Sequence, residues 1–156
     1  MRSFTAILGI LTLLTSYTQA DNWPAWRGPN DSGSTAKGPY PADLSNPENL
    51  VWKLPLPGKG CSTPIVWENQ IFITGPQKGQ DTVSAISWEG KVEWSQSIGK
   101  ESAGKHRNGS GSNPSCVTDG QLIFAYFKSG NFAAVTLEGK EVWKKNLTDY
   151  GKDTLF

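Results

Sequence analysis

A near-repeat with a period of 49 residues restricts the fold of this chain more than any other feature. The pattern Gly-Lys-x-x-Trp occurs at residues 90–94 and again at residues 139–143. The segments before each copy match as well, and Trp52 resembles the tail of an earlier unit. A repeat of 20 to 50 residues is typical of solenoids, propellers and arrays, in which each unit needs a neighbour to bury its apolar face.

Each unit reads as four short strands rich in β-branched and aromatic residues, separated by turn residues. The predicted strands cover residues 63–67, 70–74, 82–88 and 92–98, then 114–118, 122–127, 132–137 and 142–147. Four strands in 40 to 50 residues indicate an all-β fold, a β-propeller with four-stranded antiparallel blades. The blades are expected at about 63–98 and 114–147, within a propeller portion at residues 51–156.

Two blades and one further strand are too few to close a ring, which usually takes ~4–8 blades. We therefore expect this sequence to be the front portion of a longer protein with an incomplete propeller. A complete small β-sandwich is the alternative interpretation of the same eight strands.

The N-terminus has the pattern of a secretory signal peptide. Arg2 precedes an apolar run, and residues 18–20 form a small-x-small cleavage site. The run is too short for a membrane span of ~20 residues, and a buried N-terminal helix is the alternative. We expect cleavage near Ala20, a mature chain without a transmembrane segment, and a secreted or periplasmic location. Residues 21–50 then form an extended arm, anchored by burial of Trp23 and Trp26.

Composition excludes several classes of function. The chain has 15 Lys and Arg against 14 Asp and Glu, a net charge of +1, which gives no support for nucleic-acid binding. Two cysteines and one histidine are too few for a zinc site built from Cys and His alone, and no metal site is predicted. Cys61 and Cys116 are consistent either with a disulfide or with two buried free thiols.

The two copies of the motif resemble the repeat of the pyrroloquinoline-quinone-like β-propeller family, which includes quinoprotein alcohol dehydrogenases and an outer-membrane-assembly propeller. The residues that carry the resemblance are Ala85, Gly90, Trp94, Ala134, Gly139 and Trp143. Residues 22–29 also resemble the start of secreted propeller proteins of planctomycete-type bacteria. The family's Asp position reads Ser87 and Thr136 here, its Thr position reads Glu89 and Glu138, and each motif is one residue shorter. The resemblance implies that Trp52, Trp94, Trp143, Gly90 and Gly139 are structural repeat residues.

A candidate ligand site lies on the connection between the two units. Trp52 is 12 residues before Pro64, whereas Trp94 is 20 residues before Pro114, so residues 99–113 hold an expansion. In an up-and-down blade this connection shares one face with residues 75–81 and 128–131. His106, Arg107 and Asn108 together predict a site for an anionic or quinone-like ligand, and a solvated polar loop is the alternative. Arg27, in the arm, is a further candidate, paired with a carboxylate or directed towards the channel.

Two functions are consistent with these features. The first is a secreted binding or scaffold module for a protein or polysaccharide partner, because the sequence has a fold signal and no catalytic motif. The resemblance implies the second, an oxidoreductase that uses pyrroloquinoline quinone and calcium. Such enzymes typically carry an adjacent Cys-Cys pair, whereas Cys61 and Cys116 are 55 positions apart. The second function would therefore require catalytic residues beyond residue 156.

Overall fold

The computed structural model describes residues 22–35 and 38–150, and the predicted signal peptide lies outside these ranges. Two four-stranded antiparallel sheets form, each with its strands in sequence order, which confirms the all-β prediction. The first sheet contains β1 (Ile65–Trp67), β2 (Gln70–Gln77), β3 (Gln80–Ser87) and β4 (Val92–Lys100). The second contains β5 (Val117–Thr118), β6 (Leu122–Tyr126), β7 (Asn131–Thr136) and β8 (Glu141–Asn146). Two short 3-10 helices occur at Pro47–Asn49 and Leu147–Tyr150.

The core lies between the two sheets. Successive partners across the first sheet place Ile65, Phe72, Ala85 and Trp94 in one row. Because side chains alternate between the faces of a strand, this row shares the face that packs against the second sheet. The buried residues of the cluster are Ile65, Phe72, Val83, Ala85, Ile98, Cys116, Ile123, Ala125, Phe127, Ala133 and Val135.

Two of the three repeat tryptophans dock on the following unit in the same way. The indole N–H of Trp52 donates to the carbonyl oxygen of Trp88 (2.9 Å), and that of Trp94 donates to Leu137 (2.9 Å). A Cβ added at Gly90 would lie 2.5 Å from the Trp52 ring, and one at Gly139 would lie 2.5 Å from the Trp94 ring. Both glycines also have positive φ. The spacing Gly-Lys-x-x-Trp thus supplies one docking glycine and one docking tryptophan per unit.

The hairpin between β2 and β3 differs from the prediction. The connection predicted at residues 75–81 is shorter in the structure, because Gly75 and Pro76 both pair within the sheet. Only Lys78 and Gly79 form the turn, with φ of 52° and 76°, the conformation of a tight two-residue hairpin. Pairing with β3 outweighs the local turn signal and extends both strands.

The arm runs beside the first strand of each sheet. Trp23 forms an antiparallel bridge with Val66, and the N–H of Thr118 donates to the carbonyl of Pro24 (2.9 Å). Trp23 is partly buried and its ring packs on Gly28. The predicted burial of Trp26 is wrong, since this residue is 65% exposed. The following turn, closed by the Gly28 N–H on the Ala25 carbonyl, contains Trp26.

The two cysteines are free thiols in the structure. Cys116 is buried in the core, whereas Cys61 is exposed. The alternatives of a disulfide and of two buried thiols are therefore both corrected, because the thiols occupy different environments. Among the described residues, no helix is long and apolar enough to cross a bilayer.

Candidate functional site

The connection between the two sheets lies at the end of the molecule that carries the β2–β3 and β6–β7 turns. We call residues 101–113 the top-face loop. The N–H of Glu101 donates to the carbonyl of Gly79 (3.1 Å), and the N–H of Lys128 donates to that of Gly111 (3.2 Å). The loop therefore lies against the turns of both sheets, on the face that the propeller topology predicts.

The top-face loop folds back on itself, so that its first and last residues approach each other. A Cβ added at Gly111 would overlap the carbonyl oxygen of Ser102, and this contact requires a glycine. The carboxamide oxygen of Asn113 accepts from the backbone N–H groups of Ser110 (3.0 Å) and Cys61 (3.2 Å). These contacts fix the base of the loop to the segment that leads into β1.

The three candidate residues occupy the outer part of the top-face loop, and all three are exposed. The backbone N–H of Asn108 donates to Nδ1 of His106 (3.2 Å), and the N–H of Gly109 donates to the carbonyl of His106 (3.1 Å). Because Nδ1 accepts this bond, Nε2 is the ring nitrogen left to donate. The turn thus brings His106, Arg107 and Asn108 together on one small surface.

Basic side chains surround this surface. Lys59 donates to the carbonyl of Arg107 (3.4 Å), and Lys128 donates to that of Ala103 (2.8 Å). Lys105 and Arg107 are exposed on the loop itself. The acidic residues nearby are more covered, since Glu101 is partly buried and Asp81 is buried. The exposed charged side chains of the loop itself are therefore basic, although Asp149 is also exposed at this end of the molecule.

A buried carboxylate lies directly beneath the top-face loop. Asp81 is 0% exposed and accepts three side-chain hydrogen bonds. Oδ1 accepts from the hydroxyl of Ser112 (2.5 Å), whereas Oδ2 accepts from the hydroxyl of Ser129 (2.5 Å) and from Nδ2 of Asn131 (2.8 Å). We call these four residues the Asp81 cluster. It joins the first sheet, the loop and the β6–β7 turn through one side chain.

The sequence reasoning missed the Asp81 cluster, although β3 carried a signal for it. Side chains two residues apart point to the same face of a strand, so the alternation that directs Val83 and Ala85 into the core directs Asp81 inwards as well. An acidic residue at an inward position indicates a set of nearby donors, because burial of an unpaired carboxylate is unfavourable. The identity of those donors was not readable from the pattern.

Arg27 is the candidate that lies outside the top-face loop, in the arm. It is exposed, and its carbonyl accepts from the N–H of Gly33 (2.9 Å). The adjacent Trp26 lines an open cleft together with Cys61, Thr63, Asn113, Pro114 and Ser115. The arm therefore reaches the same end of the molecule as the top-face loop.

A site for a quinone and calcium would need donors for the anionic groups of the quinone and oxygen ligands for the metal ion. His106 and Arg107 are hydrogen-bond donors suited to the carboxylates of such a cofactor. Calcium needs six to eight oxygen ligands, and within residues 22–35 and 38–150 no three His, Cys, Asp or Glu side chains are placed to hold a metal ion. The donors present fit an anionic group, but they do not form a calcium site.

Comparisons with known proteins agree with this architecture. The family model described as outer membrane protein assembly factor BamB matches residues 45–154. Among solved structures, the chain is similar to the quinohemoprotein alcohol dehydrogenase from Comamonas testosteroni, with 17% sequence identity and a TM-score of 0.63. This similarity covers 86% of the chain and 20% of that enzyme, so the chain spans about a fifth of its length. The curated proteins gave no significant match.

Proposed function

The chain belongs to the propeller family described as outer membrane protein assembly factor BamB, and on that basis we propose that it is a secreted or periplasmic binding module. Its partner is a macromolecule, protein or polysaccharide, that presents oxyanions to the top-face loop. The signal-peptide pattern of residues 1–20 supports the location. The arrangement of exposed donors on a tethered loop supports the role.

One observation carries the proposal: the top-face loop presents cations while its backbone is held from both sides. The side chains of Lys105 and Arg107 are both exposed, so they are accessible to a partner. The carbonyls of Ala103 and Arg107 instead accept from lysines outside the loop. A loop that is already ordered loses little conformational entropy when it binds.

Binding at this surface would use charge-assisted hydrogen bonds. The guanidinium of Arg107 offers a planar pair of donors that matches a carboxylate or phosphate. Lys105 adds a second cation, and the imidazole of His106 adds a donor through Nε2. These groups are solvent-exposed, so the attraction is screened within about 8 Å at physiological ionic strength. The affinity is therefore expected to fall as salt is added.

The test is binding of the mature full-length protein to a polyuronate, which presents carboxylates, and to neutral dextran. We expect polyuronate binding to weaken as the salt concentration is raised from about 50 to about 300 mM, because exposed charges become screened over this range. Lys105→Ala with Arg107→Ala should weaken it about tenfold or more, since charged hydrogen bonds contribute roughly 1.5–3 kcal/mol each.

Lys91→Ala with Lys140→Ala is the matched control, because it removes the same charge from exposed residues near the β3–β4 and β7–β8 turns at the opposite end. The proposal is wrong if both double variants bind equally well. It is also wrong if dextran and polyuronate bind with the same affinity.

A further inference from the structure

Asp81 is buried at a position where three separate segments meet. It is the second residue of β3 and is buried although the Lys78–Gly79 turn just before this strand is exposed. Removing a carboxylate from water is strongly unfavourable unless hydrogen bonds replace the lost hydration. Both carboxylate oxygens of Asp81 receive such bonds, so the burial is compensated by donors from elsewhere in the chain.

The Asp81 cluster holds the top-face loop at both of its ends. Ser112, near the end of the loop, is itself 0% exposed and donates directly to Asp81. Nδ2 of Asn131 donates to Asp81 and also to the carbonyl of Lys100 (3.0 Å), the residue that precedes the loop. Oδ1 of Asn131 accepts from Nδ2 of Asn146 (3.0 Å), which fixes the orientation of this amide.

We propose that Asp81 is the positioning residue of the top-face loop: its carboxylate fixes both loop ends and thereby sets the direction in which Arg107 and His106 face. This inference rests on the proposed function for its consequence in binding, but its structural part stands on the cluster alone. Asp81 does not contact the partner. It acts through Ser112 and Asn131.

The chemistry of the cluster favours an aspartate. All three partners donate, so the central side chain must accept at both oxygens. Asp81→Asn has nearly the same shape, but its NH2 group would face either Ser112 or the pair Ser129 and Asn131. A serine hydroxyl can turn to accept from this NH2 group, but the hydrogen bonds then join neutral groups and lose the charge assistance of the carboxylate. The variant therefore weakens the hold on the loop without creating a cavity.

Limited trypsin digestion of the mature full-length protein tests the loop itself. Cleavage after Lys105 and Arg107 reports on the loop, and cleavage after Lys91 and Lys140 reports on the opposite end. For Asp81→Asn we expect cleavage in the loop to rise about tenfold, as expected for loss of a charged hydrogen bond, with unchanged cleavage at the opposite end. Ser112→Ala removes one donor only and should give a smaller rise at the same two sites.

Thr118→Val is the control for a general loss of stability. Thr118 is a buried residue whose hydroxyl donates to the Leu122 carbonyl (2.7 Å), in a hairpin remote from the loop along the second sheet. Positioning by Asp81 is refuted if Thr118→Val raises cleavage of the loop as much as Asp81→Asn does. It is also refuted if neither Asp81→Asn nor Ser112→Ala raises it.

Polyuronate affinity separates the two proposals. We expect Asp81→Asn to weaken binding although every basic residue remains. If cleavage of the loop rises while Lys105→Ala with Arg107→Ala leaves binding unchanged, the proposed function fails and the positioning role stands. If that double variant abolishes binding while Asp81→Asn changes neither cleavage nor affinity, the function stands and the positioning role fails.

Discussion

The two ends of the molecule differ in how closely the second unit repeats the first. We call the end with the β3–β4 and β7–β8 turns the lower end. There the N–H of Gly90 donates to Ser87 and that of Gly139 to Thr136, both at 2.9 Å. At the opposite end the β2–β3 turn has two residues, whereas the β6–β7 turn is longer and closes with the Gly130 N–H on the Phe127 carbonyl. The comparison teaches that the repeated docking contact between units lies at the lower end, whereas the opposite end differs between the two units.

The largest effect is expected from loss of the tryptophan-docking contact that lies between the two sheets. Trp94 packs against the core and lies 6.0 Å from Phe72, measured between ring centroids, whereas Trp52 belongs to a segment outside the strands. Trp94→Ala should lower the free energy of unfolding by about 3 kcal/mol, near the lower limit for removal of an aromatic side chain from a core. Urea denaturation of the mature full-length protein measures the change.

Trp52→Ala is the matched comparison, because Trp52 makes the equivalent contacts with a carbonyl and a glycine of the following unit. We expect it to lower the free energy of unfolding by only roughly 1–2 kcal/mol. Equal losses would show that the two docking contacts are energetically equivalent. In that case the strands around Trp94 add nothing to its contribution.

The next effect distinguishes the core, which contains Cys116, from the exposed segment before β1, which contains Cys61. Burial raises the pKa of Cys116 from its ordinary value of 9.0 to about 12. Below pH 9 this thiol is neutral in both states and does not make stability depend on pH. Between pH 9 and 12 only the unfolded chain releases the proton, so stability falls by roughly 1 kcal/mol per pH unit. Thermal unfolding of wild type and Cys116→Ala across this range measures the difference.

Reaction with a thiol reagent at neutral pH sharpens the same contrast. Cys61 is exposed and should react at once, whereas Cys116 should react only after unfolding. Cys61→Ser gives the control, since it should abolish the fast phase. Two fast thiols in the native protein would contradict the burial of Cys116.

The smallest effect concerns equivalent carboxylates at the lower end. The hydroxyl of Ser87 lowers the pKa of Glu89, and that of Thr136 lowers the pKa of Glu138. A lowered pKa favours folding above the ordinary pKa of the carboxyl, and this contribution is lost as the pH falls through the lowered value. Ser87→Ala and Thr136→Ala should each return the pKa of the nearby glutamate towards its ordinary value. An NMR titration that shows only one pKa moving would break the equivalence of the two turns.

The sequence predicted those parts of the molecule that depend on local patterns. The repeat made Trp94 equivalent to Trp143 and Gly90 equivalent to Gly139. Turn residues and β-branched and aromatic content located all eight strands to within a few residues of their observed bounds. The Asp81 cluster was not predicted, because its donors Ser112, Ser129 and Asn131 are 31, 48 and 50 residues away along the chain. Contacts of that kind depend on how two sheets come together, and no local pattern encodes them.

Trp26 illustrates the opposite error, in which a reliable rule was applied without knowledge of the backbone. Large aromatic side chains usually bury much of their surface, and Trp23 does so by packing on Gly28. Three residues later the turn directs Trp26 outwards, where it is 65% exposed. Residue type predicted the tendency, and the path of the arm determined the outcome.

The docking of each tryptophan on the glycine of the following unit gives the assembly a polarity. An indole is always donated forwards and received from behind, as Trp52 and Trp94 both show, so the joined surfaces are unlike. A heterologous contact of this kind has no two-fold axis, and its repetition produces either a closed ring or an open helix. The rotation between successive units, which this docking contact and the core between the sheets fix together, therefore decides how many units complete a circle.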